Sequence, residues 1–125
     1  MNLKQARIIF SYLFCEKLVE KVKELSESYA LDEVTNHQGT GHEPGSLHYS
    51  GCAGDLILYD KNGNYVTGED IYPKLGVYWK SLPDDPDSKA KFGDISGMCK
   101  WGGDFKTKDF NHFSFAPQEL FNGRA

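Results

Sequence analysis

Apolar residues first recur at helical spacing. Phe10, Phe14, Leu18, Val22, Leu25 and Tyr29 follow at intervals of four, four, four, three and four, and Ala6, Ile9 and Leu13 widen the stripe. Lys17, Glu20, Lys21, Lys23, Glu24 and Glu27 fall mainly on the other side. Opposite pairs such as Lys17/Glu20 and Lys23/Glu27 offset like pairs such as Lys17/Lys21. The pattern predicts one amphipathic helix reaching to Tyr29. The same segment superficially resembles a signal peptide, because Lys4 and Arg7 precede the run Ile8–Phe14. That run is short, no small-residue cleavage site follows it, and bulky Phe14 before Cys15 does not suit a lipoprotein signal. The helix explains the residues better.

Beyond the helix the rhythm changes. Residues 35–46 are rich in turn formers and read as a loop. Asp55-Leu56-Ile57-Leu58-Tyr59 predicts a short strand, and the turn Asp60–Asn64, centred on Asn62-Gly63, leads into Tyr65-Val66-Thr67 as a hairpin. Residues 73–82 suit a short helix opened by Pro73, the stretch from Pro83 to Lys100 reads mostly as loop, and His112–Phe115 alternates like a half-buried strand. The expected class is α+β: an N-terminal helix packed on a small, mainly antiparallel sheet.

Composition narrows the picture. A chain of 125 residues suits a single domain, residues 1–125, and 39% apolar with 14% aromatic residues supports a real core. A net charge of −4 without a long run of one sign argues against a nucleic-acid binder. No run approaches the ~20 apolar residues of a membrane span, so stable membrane insertion is not expected. Cys15, Cys52 and Cys99 are odd in number and show no CxxC spacing, which disfavours a disulfide framework and leaves one pair with a free thiol as the alternative. Cys52 reads as a small buried residue.

The chemistry concentrates in two segments. In Ser46-Leu47-His48-Tyr49-Ser50-Gly51-Cys52-Ala53-Gly54-Asp55, a histidine and an aspartate flank a turn of small residues. Gly51 and Gly54 tolerate the close approach that lets both side chains converge. In Asp109-Phe110-Asn111-His112-Phe113-Ser114-Phe115, strand alternation sends Phe113 and Phe115 to the core and leaves His112 and Ser114 on the opposite, accessible face. Two imidazoles and one carboxylate with an open fourth position form a catalytic zinc set. Taken singly, each of these residues reads more readily as surface or cap; their joint pattern is the signal.

His48, Gly51, Ala53 and Asp55 form HxxGxAxD, and Asp109 with His112 forms DxxH. Together they resemble the D-Ala-D-Ala carboxypeptidase family of zinc peptidases, which includes phage L-alanyl-D-glutamate endopeptidases of the endolysin type. Ser46 completes an SxH, Gly76-Val77-Tyr78-Trp79 is similar to the family's connecting helix, and Trp101-Gly102-Gly103-Asp104 is similar to the WGGD segment of phage endolysins. The resemblance spans nearly the whole chain in the right order. It implies a hedgehog/DD-peptidase-like zinc fold, one Zn2+ bound by His48, Asp55 and His112, and Asp109 as catalytic base. Relatives carry an arginine upstream of SxH, whereas Glu33–Gln38 has none and the only arginines are Arg7 and Arg124. His37, Gln38 and His42 are candidate replacements as donors to substrate or oxyanion, with loop-surface roles as the alternative for both histidines. Ser46, Tyr49 and Trp101 are further candidate substrate contacts, and Trp101 equally suits the core.

The resemblance implies hydrolysis of the peptidoglycan stem peptide, between L-alanine and D-glutamate. D-alanyl-D-alanine carboxypeptidase or dipeptidase activity is the nearest alternative, and a non-catalytic, zinc-stabilised cell-wall or protein-binding domain is the alternative of another class. Without a recognisable export signal, the expectation is synthesis in the host cytoplasm, holin-assisted delivery, and action on the cell wall or in the periplasm.

Overall fold

Helix α1 (Leu3–Tyr12) begins at a capping box. The Asn2 side chain accepts from the Gln5 N–H at 2.9 Å, and the Gln5 side chain accepts from the Asn2 N–H at 2.8 Å. The computed structural model describes residues 1–25, 47, 50–60, 62–66 and 71–121. From α1 the helix runs through a π-helical segment, Leu13–Leu18, into α2 (Val19–Glu24). The sequence carries the reason. Phe10, Phe14, Leu18 and Val22 repeat in strict steps of four, which would drift about 40° per step around an α-helix. The wider π turn, where the Val19 N–H reaches back to the Phe14 carbonyl, absorbs that drift. All four residues are buried, as are Ala6, Ile9 and Leu13. The predicted amphipathic helix is therefore present with a π segment at its middle; its expected continuation to Tyr29 lies outside the described residues.

Three short strands form one antiparallel sheet in the order β1 (Ala53–Asp55), β3 (His112–Phe115), β2 (Cys99–Trp101). Ala53 faces Ser114 and Asp55 faces His112 across β1–β3, while Cys99 faces Phe115 and Trp101 faces Phe113 across β2–β3. This confirms an α+β class. Phe113 and Phe115 point to the helices. Helix α3 (Ile71–Ser81) packs Trp79 against this face: its ring lies edge-on to Phe113 and Phe10, each at 6.0 Å, and its Nε1 donates to the Ser114 carbonyl at 3.0 Å. Gly76 brings α3 close to β2, because a Cβ there would collide with the Trp101 ring.

The structure corrects several local expectations. The strand predicted at 55–59 is replaced by a strand at 53–55, because β3 starts opposite Asp55 and offers Leu56 only one further bond, from the Leu56 N–H to the Asn111 carbonyl at 3.0 Å. Leu56 and Leu58 are fully buried, so the apolar run reported burial rather than pairing. The hairpin turn is present: the Asp60 N–H donates to the Asn64 carbonyl at 2.8 Å, and Tyr59 bridges Tyr65. The stretch expected as loop between Pro83 and Lys100 contains a 3-10 turn (Leu82–Asp84), α4 (Pro86–Phe92) and most of β2. Asp85 caps α4 through the Ser88 N–H at 3.1 Å, with Pro86 at the first helical position. A last short helix, α5 (Gln118–Phe121), follows β3.

A half-buried polar cluster ties α4 to the first helix. Lys17 reaches Asp85 at 3.3 Å and Asp87 at 3.0 Å, and the Tyr12 hydroxyl donates to Asp87 at 2.6 Å. The Tyr12 and Lys17 hydrogen bonds hold the Asp87 carboxyl below its ordinary pKa. Burial opposes the same change at Asp85, but the Ser88 N–H, Lys17 and the Ser88 hydroxyl outweigh it. Bonding to Asp87 raises Lys17 in turn. Among the described residues, no helix is long and apolar enough to cross a membrane, and all three cysteines are free thiols.

Candidate metal centre

The site forms where β1 ends and β3 begins. The β1–β3 register puts Asp55 directly across from His112, so both side chains leave the same face of the sheet. His112 Nδ1 lies 3.9 Å from Asp55 Oδ1. Asp109 joins them through a turn: the His112 N–H donates to the Asp109 carbonyl at 3.1 Å, folding the DxxH segment back on itself. One ligand atom from each of Asp55, Asp109 and His112 lies within 4.8 Å of the others.

Gly102 makes that convergence possible. Its carbonyl accepts from the Asp109 N–H at 2.9 Å, fixing the turn against the 3-10 segment Gly102–Asp104. A Cβ at this position would collide with the Asp109 carbonyl and come within 2.8 Å of His112 Cβ. Only glycine lets the two backbones approach so closely. Phe105, just after the segment, lays its ring 5.2 Å from the His112 imidazole. Neither Gly102 nor Phe105 stood out as a site residue in the sequence; the paired glycines of WGGD were the signal.

The three candidate ligands differ in exposure. The His112 side chain is 5% exposed, Asp55 is 19% exposed, and Asp109 is open to solvent. The set runs from a buried imidazole to a carboxylate that can exchange protons with water. Donors about 2.1 Å from a tetrahedral zinc lie roughly 3.4 Å apart, so the 3.9 Å Asp55–His112 separation needs only a small contraction. The residues fit a divalent ion. One imidazole and two carboxylates suit zinc and also other first-row metals.

On the far side of β1, a turn leads into the strand. The Ser50 and Cys52 N–H groups both donate to the Leu47 carbonyl, at 3.1 and 3.0 Å, and Gly51 adopts φ +75°. Arg7 Nε donates to the Ser50 carbonyl at 2.7 Å and fastens this turn to α1. His48, the third expected zinc ligand, lies outside the described residues, as do His37, Gln38, His42, Ser46 and Tyr49. Trp101 is 8% exposed and lies on the opposite sheet face from His112; its ring packs over Gly76 and Gly103, and its Nε1 donates to the Phe110 carbonyl at 2.8 Å.

His112 and Ser114 share a face as expected, but that face is covered rather than accessible: Ser114 is fully buried. Its Oγ has no hydrogen-bond partner among the described residues. Cys52 is also fully buried, and burial pushes its thiol up to about 11. Burial raises Cys99 to about 12. Neither thiol belongs to the Asp55–Asp109–His112 group. No family model matches the chain, and neither does any curated protein.

Proposed function

We propose that this chain is a zinc-dependent peptidoglycan peptidase that cuts the stem peptide between L-alanine and D-glutamate. The observation that carries the reading is the convergence of Asp55, Asp109 and His112, the three described residues that the HxxGxAxD and DxxH segments nominate for one site. Asp55 and His112 would hold the ion, with His48, which lies outside the described residues, as the third ligand that the HxxGxAxD segment nominates. Zinc at such a site supplies Lewis acidity for water and for the scissile carbonyl. Asp109, the exposed member, accepts the proton of the attacking water on a carboxylate oxygen and returns it to the departing amine. His112 is held in register by the β3 ladder and flanked by the Phe105 ring, which limits how far it must move.

Mass spectrometry of purified muropeptides after incubation with the zinc-loaded chain tests the reading. New fragments ending at L-alanine and beginning at D-glutamate are the expected result. Fragments released at D-alanyl-D-alanine would instead assign a carboxypeptidase or dipeptidase. No cleavage at one equivalent of zinc would leave a zinc-stabilised binding domain. The span within 4.8 Å gives that last reading specific support, since it places Asp109 near enough to be a ligand itself. Asp109→Ala separates the roles: hydrolysis lost with about one equivalent of zinc retained makes Asp109 the base, and zinc lost with it makes Asp109 a ligand.

A further inference from the structure

β2 has β3 on one side and no described strand on the other. In the β2–β3 register Met98 comes opposite Ala116, and the Ala116 N–H donates to the Met98 carbonyl at 2.8 Å. Antiparallel ladders alternate, so Met98 and Lys100 bond toward β3, while the main-chain groups of Cys99 and Trp101 point outward. Phe115, the partner of Cys99, agrees with this phase, because its N–H donates instead to Cys52 on the β1 side at 2.8 Å. The Trp101 carbonyl opens the 3-10 turn that follows. That leaves the Cys99 N–H, the Cys99 carbonyl and the Trp101 N–H at the sheet's edge, a set able to hold one extended residue by two bonds and a neighbour by a third.

A groove of about 460 Å³ lies against this edge, with Lys80, Gly97, Lys100, Trp101 and Phe105 among its walls. Phe105 is shared: the ring that ends the groove is the one lying 5.2 Å from His112. The groove's charge is uneven. Lys80 is paired with Asp104 at 2.7 Å and sits 5.5 Å over the Trp101 ring. Lys100 is exposed and forms no ion pair among the described residues. Among the described residues, the rim therefore carries one positive charge that no carboxylate offsets.

The geometry points to the β2 edge as the docking track of an extended peptide bearing a free carboxylate, which adds as a fourth strand beside Cys99 and Trp101, sets its carboxylate on Lys100, and runs past Phe105 to the Asp55–Asp109–His112 cluster. The inference rests on the peptidase reading and names how its substrate is held. A sheet edge binds a peptide through main-chain bonds, and adjoining pockets select its side chains. The stem peptide meets the charge requirement through the free α-carboxylate of its γ-linked D-glutamate.

The test is amide NMR on the zinc-loaded full chain with a stem tetrapeptide made non-cleavable by a ketomethylene group at the L-alanyl-D-glutamate bond. Binding shifts the Cys99 and Trp101 amide signals and slows their exchange with solvent. Lys100→Glu weakens binding about tenfold, and so does replacing D-glutamate by D-isoglutamine, which removes the carboxylate. A bound peptide that leaves both amides unmoved, an unchanged Kd in Lys100→Glu, or no binding at millimolar peptide overturns the track. The two readings fail separately: cleavage of the natural peptide with unmoved β2 amides retains the peptidase and discards the track, whereas binding along β2 without cleavage retains the track and discards the peptidase.

Discussion

The two faces of strand β3 obey opposite rules. Phe113 and Phe115 face α1 and α3, where apolar area and aromatic edges are all favourable. His112 and Ser114 face the other way, equally buried, with a titratable ring and a hydroxyl that has no bond among the described residues. Alternate residues of one four-residue strand thus stabilise the fold and burden it. Burying polar groups without full compensation is costly, so the burdened face is where a ligand has most to contribute.

Removing the stabilising face should have the largest effect. Trp79→Ala is expected to destabilise the chain by about 3–5 kcal/mol, measured by urea denaturation, because the ring meets Phe10, Phe14 and Phe113. Trp79→Phe should lose less, mainly the bond to the Ser114 carbonyl. Gly102→Ala tests the seam between the faces. A forced shift of the Asp109 turn should cost about 1–3 kcal/mol, and displacement of its site residues should weaken zinc binding about 10–100-fold in chelator competition. Unaltered zinc affinity would show that the close approach does not shape the site.

Ser114→Ala addresses the burdened face directly. Losing a hydroxyl that has no bond among the described residues should leave stability unchanged or raise it by up to about 1 kcal/mol. A loss beyond that range would reveal a partner and remove Ser114 from the comparison.

The smallest effect should come from the half-buried cluster of Lys17, Asp85 and Asp87, a polar group of a third kind. The two carboxyls titrate below their ordinary range, so their contribution is present above about pH 3.9 and disappears as pH falls through their lower folded values. Lys17 is raised, so its share holds below about pH 10.4 and disappears as pH climbs through its higher folded value. The difference in Tm between the natural chain and Lys17→Met should therefore be small and positive at pH 7, and shrink toward zero near pH 2. A difference that persists there would assign the lysine a packing role through its aliphatic stem.

What the sequence made legible follows from which forces act locally. The apolar stripe from Ala6 to Val22 and the alternation of His112–Phe115 report burial, and both elements exist. The pairing of Asp55 with His112 follows from a register between distant segments, yet the two motifs already nominated both residues. Pairing partners were not legible, which is why Leu56–Leu58 read as strand although no ladder continues there. β2 was missed because three residues between Met98 and Gly102 are too few to show a period. α4 was missed because Pro-Asp-Asp-Pro reads as turn until Asp85 is recognised as a cap and Pro86 as a first helical residue. Side-chain cover was not legible either: alternation put His112 and Ser114 on one face but could not tell whether anything lies over it.

The π segment Leu13–Leu18 gives the first helix an unusual tolerance. A π turn accommodates one residue more than the α-helix on either side of it requires. Deleting Cys15, which is exposed, should collapse the wide turn into ordinary α winding while Phe10 and Val22 keep their direction. The same deletion at Glu20, in regular helix, would turn every later residue by about 100°. The protein thus holds a spare register position where its helix can shorten by one residue without rotating its faces.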